Sequence, residues 1–97
     1  MSGGRMTNSH PIGSVLREKA REAIKSGRLP ARAADRTLGG PGTGATCPVC
    51  AKPLRHDQMA REVQFKRSGA TAGIDSYHLH PPCCMAWERE RAIANEA

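Results

Sequence analysis

Cys47-Pro48-Val49-Cys50 and, 29 residues further on, His80-Pro81-Pro82-Cys83 are the two stretches on which the fold turns. Two residues between ligands let one tight turn aim both sulfurs at a common point. The second pair falls where a strand meets the first turn of a helix, so His80 and Cys83 can converge on that point. Three thiolates and one imidazole suit a closed, tetrahedral structural zinc site. The segment between the pairs reads as a hairpin. Arg61-Glu62-Val63-Gln64-Phe65-Lys66-Arg67 alternates, with Val63 and Phe65 on one side and Glu62, Gln64 and Lys66 on the other, as a half-buried strand does. Ser68 to Gly73 is a loop of small residues, and Ile74 to His80 returns as the second strand. Pro81 and Pro82 end it, and proline is accepted in the first turn of a helix, where its missing N–H has no partner to lose. A helix from about Pro82 to Asn95 follows, with Cys83, Ala86, Trp87 and Ala94 near one face.

This order resembles a treble-clef zinc finger of the LIM-like kind: a Cys-x2-Cys knuckle, a β-hairpin, then His-x2-Cys leading into a helix. The stretch Tyr77-His78-Leu79-His80-Pro81-Pro82-Cys83-Cys84-Met85-Ala86-Trp87 also resembles the C-terminal motif of small uncharacterised bacterial zinc-finger proteins. The likeness covers residues 47–91, and the insert is longer than a LIM first finger usually carries, with no second finger after it. It implies one structural zinc and a protein-interaction role, and it implies no catalysis.

Two positions in the ligand set have competitors. His78 and His80 face the same way on a strand; the His-x2-Cys spacing selects His80 and leaves His78 as the substitute. Cys83 and Cys84 are one helical step of about 100° apart and cannot both aim well at one ion. The spacing selects Cys83. Cys84 then reads as a small packed hydrophobe, or as a redox-responsive thiol beside the metal. His10 and His56 have no ligand-like neighbour. Trp87, one turn after Cys83, is expected to pack over the site and the hairpin against Phe65 or Val63.

The first half of the chain has a different character. Of the net charge of +6, residues 1–46 carry +5, so the basic excess lies outside the cysteine-bearing half. Residues 1–13 are polar and aperiodic and are expected to be a disordered tail. A basic amphipathic helix is predicted over 14–27, with Ser14 as its N-cap and Leu16, Ala20, Ala23 and Ile24 on one stripe. Gly27 suits its C-terminal cap and Pro30 stops it. Such a helix is marginal alone in water and needs a surface to dock on. Residues 28–46, with Arg28, Arg32 and Arg36 and then Gly39-Gly40-Pro41-Gly42, read as a flexible linker. The zinc-binding domain is expected to occupy 47–97. The fold class predicted is thus a small zinc-stabilised α+β domain.

Composition narrows the function. With 97 residues, three aromatics and 17 Gly or Pro, the chain has little large apolar surface to bury, so a metal is expected to decide whether it folds. No apolar run approaches the roughly 18 residues a membrane span needs, and Met1 to Ser14 has no hydrophobic signal core, which points to the cytosol. A zinc deaminase needs His-x-Glu, which is missing, and Thr46 rather than proline precedes Cys47. Four protein ligands leave no open position for a catalytic water. A thioredoxin-like use of Cys47 and Cys50 needs a βαβ context, and the flanks supply a glycine-rich segment and a turn. A non-catalytic protein-interaction adaptor or regulator is therefore expected. The alternative is a nucleic-acid-binding accessory protein, with Arg17, Lys19, Arg21, Lys25, Arg28, Arg32 and Arg36 as phosphate contacts.

Overall fold

A computed structural model describes residues 11–96. It is a small α+β domain with two helices and a three-stranded antiparallel sheet. In chain order the elements are α1 (Pro11–Lys25), β1 (Arg36–Pro41), β2 (Met59–Arg67), a short 3-10 turn (Gly69–Thr71), β3 (Gly73–Leu79) and α2 (Pro81–Glu96), and the sheet order is β1-β2-β3.

The hairpin forms where the alternation places it. Val63 faces Tyr77, Phe65 faces Asp75 and Arg61 faces Leu79 across the β2–β3 pair. Val63, Phe65 and Leu79 are buried on the face that α2 covers. Trp87 of α2 is fully buried there. Its ring meets Phe65 edge-on at 5.9 Å, and Phe65 meets Tyr77 in the same way at 5.7 Å. The three aromatic side chains therefore form one continuous stack of T-shaped contacts, a geometry the ring quadrupoles favour.

Helix α1 docks on α2 through the stripe read from the sequence. Ala20 and Ala23 are fully buried, with Leu16 and Ile24 packed at their edges. Small residues at the contact allow the two helices a close approach. The helix starts at Pro11 rather than after Ser14, which therefore lies inside it and is not its N-cap. Proline at the first helical position has its φ already set and no amide to leave unpaired, so it outcompetes a serine cap three residues later. The expected tail thus loses residues 11–13 to α1, and residues 1–10 lie outside the described part of the chain. The C-terminus is as predicted: Gly27 adopts φ +82°, its N–H donates to the Ile24 carbonyl, and the Leu29 N–H returns to the Ala23 carbonyl.

The reading of 28–46 as a flexible linker is overturned. Leu29 is part of the core. The Trp87 indole N–H donates to the Pro30 carbonyl at 2.9 Å, and the Asn95 amide donates to the Ala31 carbonyl at 2.7 Å. The Asp35 N–H donates to the Gln64 carbonyl, while the Asp35 carboxylate accepts the Lys66 N–H at 2.7 Å. Residues 36–41 then pair with 59–64 as strand β1. An edge strand requires main-chain amides and little else, so glycines at 39 and 40 do not prevent it, and Pro41 sits at its end, where proline is tolerated. Gly42 has a steric role. A Cβ there would run into the carbonyls of Leu54, at 2.7 Å, and Arg55. Only glycine lets β1 leave the sheet against the segment that carries the first cysteine pair.

Candidate metal centre

The first pair of ligands sits at the tip of a small hairpin. The Gly44 N–H donates to the Leu54 carbonyl, Leu54 N–H to Ala45, and Cys47 N–H to Lys52, with Thr46 bridged to Pro53. The Ala51 N–H folds back onto the Cys47 carbonyl at 2.8 Å, and Ala51 takes φ +65°. This left-handed residue closes the knuckle and turns Cys50 toward Cys47.

The second pair straddles the β3–α2 junction. The His80 carbonyl accepts the Cys84 N–H at 2.8 Å, the first hydrogen bond of α2, so His80 flanks the helix and Cys83 lies in its first turn. The ligand atoms of Cys47, Cys50, His80 and Cys83 all lie within 4.8 Å of one another, and Cys50 Sγ is 3.3 Å from His80 Nδ1. With metal–sulfur bonds of about 2.3 Å, the edge of a tetrahedron is about 3.8 Å. The quartet therefore closes around an ion with sub-ångström contraction. Cys47 and Cys83 are buried, whereas Cys50 and His80 are half-buried.

The proton chemistry of the quartet fits a cation site. The Cys83 thiol donates to Cys47, and backbone N–H groups of Cys50, His80 and Val49 add to it, so the Cys47 thiol is held down to about 4 against the cost of burial. Cys83 is pushed up by that same hydrogen bond, by burial and by the negative charge of Cys47 and Cys50. Sulfurs this close share protons until a divalent ion replaces them. The N–H donors also offset the net −1 charge that three thiolates leave around a divalent ion.

The competitors take other places. His78 lies opposite Glu62 on the sheet face turned away from α2, with Nε2 3.8 Å from the carboxylate. It lines a hollow of about 290 Å³ with Leu38, Ala60 and Glu62. Cys84 is buried outside the quartet, and burial, followed by the charge of Glu88, pushes its thiol up to about 11. Lys52 and Arg55 are the nearby side-chain cations expected to offset the site's charge. Arg55 instead pairs with Asp57, its Nε 3.0 Å from Oδ1, while Lys52 lines the groove beside the quartet.

The seven basic residues of the N-terminal half do not form a free arm. Arg17 and Arg21 reach the buried Glu90 carboxylate at 3.4 and 3.1 Å. Arg28 Nε donates to the Pro48 carbonyl. Arg32 binds Asp35 and the Lys66 carbonyl, and its guanidinium lies 5.0 Å from the centre of the Phe65 ring. Lys19, Lys25 and Arg36 are exposed. Sequence reasoning missed Glu90 as the internal partner of the helix cations. Arginines at 17 and 21 share one helix face and gave one signal, but the acid that answers them is about 70 residues away. Among the described residues no helix is long and apolar enough to cross a membrane.

Comparison with protein-family models, with curated proteins and with solved structures returned no match.

Proposed function

We propose that this chain is a non-catalytic structural-zinc module, treble-clef-like in its knuckle, hairpin and helix, that serves as a protein-interaction adaptor. The observation that carries the reading is the quartet. Four ligand atoms from two separate hairpins converge within 4.8 Å, and three of them are cysteine sulfurs. Cys3His sites suit zinc, which has no geometric preference of its own and accepts a tetrahedron of sulfur and nitrogen. All four positions are filled by the protein, which leaves no vacancy for a catalytic water. The interaction role draws support from the surface beside the centre. Leu16, Met59, Pro81 and Pro82 border a groove of about 530 Å³, and Met59 and Met85 are strongly exposed. Exposed apolar surface of this kind marks contact sites, and methionine adapts to varied partners.

Nucleic-acid binding is the second reading. Its support is the net charge of +6, and it rests on Lys19, Lys25 and Arg36 because Arg17, Arg21, Arg28 and Arg32 are engaged internally. Native mass spectrometry with and without chelator tests the centre: one zinc per chain is expected, and a metal-free chain with dispersed amide resonances removes the reading. Titration of duplex and single-stranded oligonucleotides at low salt separates the two roles. Salt-dependent binding lost in a Lys19→Glu/Lys25→Glu/Arg36→Glu variant would replace the adaptor reading with the second.

A further inference from the structure

The quartet is lopsided. Cys47 and Cys83 retain almost no exposed surface, whereas Cys50 and His80 are half-buried. Both open onto the 530 Å³ groove bordered by Leu16, Met59, Pro81 and Pro82. Cys83 also reaches the wall of this groove, but with only 3% of its surface exposed. Cys84 is equally buried, and it is not among the groove's lining residues. One sulfur of four is thus both a metal ligand and reachable from outside, and the path to it is mainly apolar.

We propose that Cys50 is a modification site for small, neutral α,β-unsaturated carbonyl compounds, and that its alkylation releases the metal. The inference rests on the zinc reading of the centre. A zinc-bound thiolate keeps a lone pair and remains a nucleophile. Its Sγ adds to the β-carbon of the electrophile. The new S–C bond forms as the C=C π bond breaks, the electron pair passes to the enolate, and the enolate takes a proton from water. No oxidant is consumed and no group leaves. The product at Cys50 is a neutral thioether, which donates far less strongly to zinc than a thiolate. Cys50 also comes from the knuckle, while His80 and Cys83 come from the β3–α2 junction. Its loss therefore leaves Cys47 as the single knuckle ligand to the ion and loosens the knuckle from α2. The groove favours neutral apolar reagents over hydrated anions, because entering it strips water from the incoming molecule.

The test uses the full zinc-loaded chain with limiting N-ethylmaleimide, followed by intact-mass measurement, peptide mapping and a colorimetric zinc assay. The first adduct is expected on Cys50, with one zinc released per adduct. A sulfonated maleimide should react several-fold more slowly, after correction for its rate with a free thiol. Met59→Trp, which narrows the groove at an exposed position, should slow labelling of Cys50 and leave the circular dichroism unchanged. First labelling at Cys47, Cys83 or Cys84, simultaneous labelling of all four thiols, or an adduct on Cys50 that retains zinc overturns the proposal. If the chain takes up no zinc, the reading of the centre fails by itself. Labelling order on the metal-free protein then decides the site: Cys50 first keeps it, and any other thiol first removes it.

Discussion

The two ends of α2 are held by different chemistry. Its first turn, with His80 before it and Cys83 inside it, faces the knuckle across a cluster of metal-ligating atoms. Its later turns are held by contacts that need no ion. Trp87 stacks on Phe65 and hydrogen-bonds the Pro30 carbonyl, Glu90 accepts Arg17 and Arg21, and Asn95 holds Ala31. The knuckle buries Val49 and Leu54 besides its cysteines, whereas the other end buries two helix faces and an aromatic stack. A small domain can thus divide its stability, with coordination at one end and packing at the other.

Metal removal should separate the two ends most sharply. Structural zinc contributes about 10–16 kcal/mol in apparent terms, far above any single side-chain contact. Chelation is expected to expose the amides of Gly44, Cys47, Ala51 and Leu54 to hydrogen exchange before those of α1. Cys47→Ser and Cys50→Ser should do the same, and Cys84→Ser should not. If α1 loses protection together with the knuckle, the metal holds the whole domain and the division is wrong. Acidification acts in the same direction, because protons compete with the ion for the thiolates.

Trp87→Ala attacks the other end. Removing a fully buried Trp costs about 3–5 kcal/mol. Trp87→Phe keeps most of the packing and leaves the Pro30 carbonyl without its donor, at a cost of about 1 kcal/mol. Urea unfolding of the zinc-loaded protein should report both losses, while competition with a chelator should find the zinc affinity of the folded protein little changed. A large fall in zinc affinity would show that the aromatic stack positions the quartet.

What could be read from the chain follows the same division. The ligand spacing, the β2 alternation and the α1 stripe are local patterns, each with one physical period, and each reappears in the structure. Strand β1 was hidden because Thr37-Leu38-Gly39-Gly40 has no side-chain signature. Its place is set by the amides of β2, which lie more than twenty residues away. The arginines misled for a related reason. A cation's partner is a tertiary fact, and charge counted along a sequence cannot separate a solvated arginine from one held by a buried glutamate. His80 and Cys83 were legible because spacing alone selects them, and the structure leaves His78 and Cys84 outside the quartet.

Ala51→Gly sharpens the comparison from the metal side. A left-handed residue with a Cβ carries strain of about 1–2 kcal/mol, partly offset because glycine has more freedom to lose on folding. A net gain of about 1 kcal/mol is expected in the knuckle. It should appear as tighter zinc binding in a chelator competition and leave hydrogen exchange of α1 unaltered. Unchanged or weaker zinc binding would mean that Ala51 makes a contact worth more than the strain.

The smallest effect expected is at Asp35, on the packed side. Its carboxylate accepts the Lys66 N–H, and this bond above all, with Arg32 adding, holds its pKa below the ordinary value. A depressed carboxylate stabilises the fold above its unfolded pKa of about 3.9, and that contribution is lost as pH falls through the lower, folded value. Asp35→Asn removes the charge and keeps an oxygen that can accept the same N–H. The wild-type advantage in urea midpoint should therefore be constant at neutral pH and shrink only in the acid range. Because the group is solvent-exposed, screening makes the difference small, and raising the salt should reduce its Arg32 part and leave the Lys66 hydrogen bond. An advantage that persists undiminished at the acid end would assign the strap's attachment to Leu29 and the Trp87–Pro30 bond alone, and would leave the Asp35 carboxylate without a part in anchoring β1.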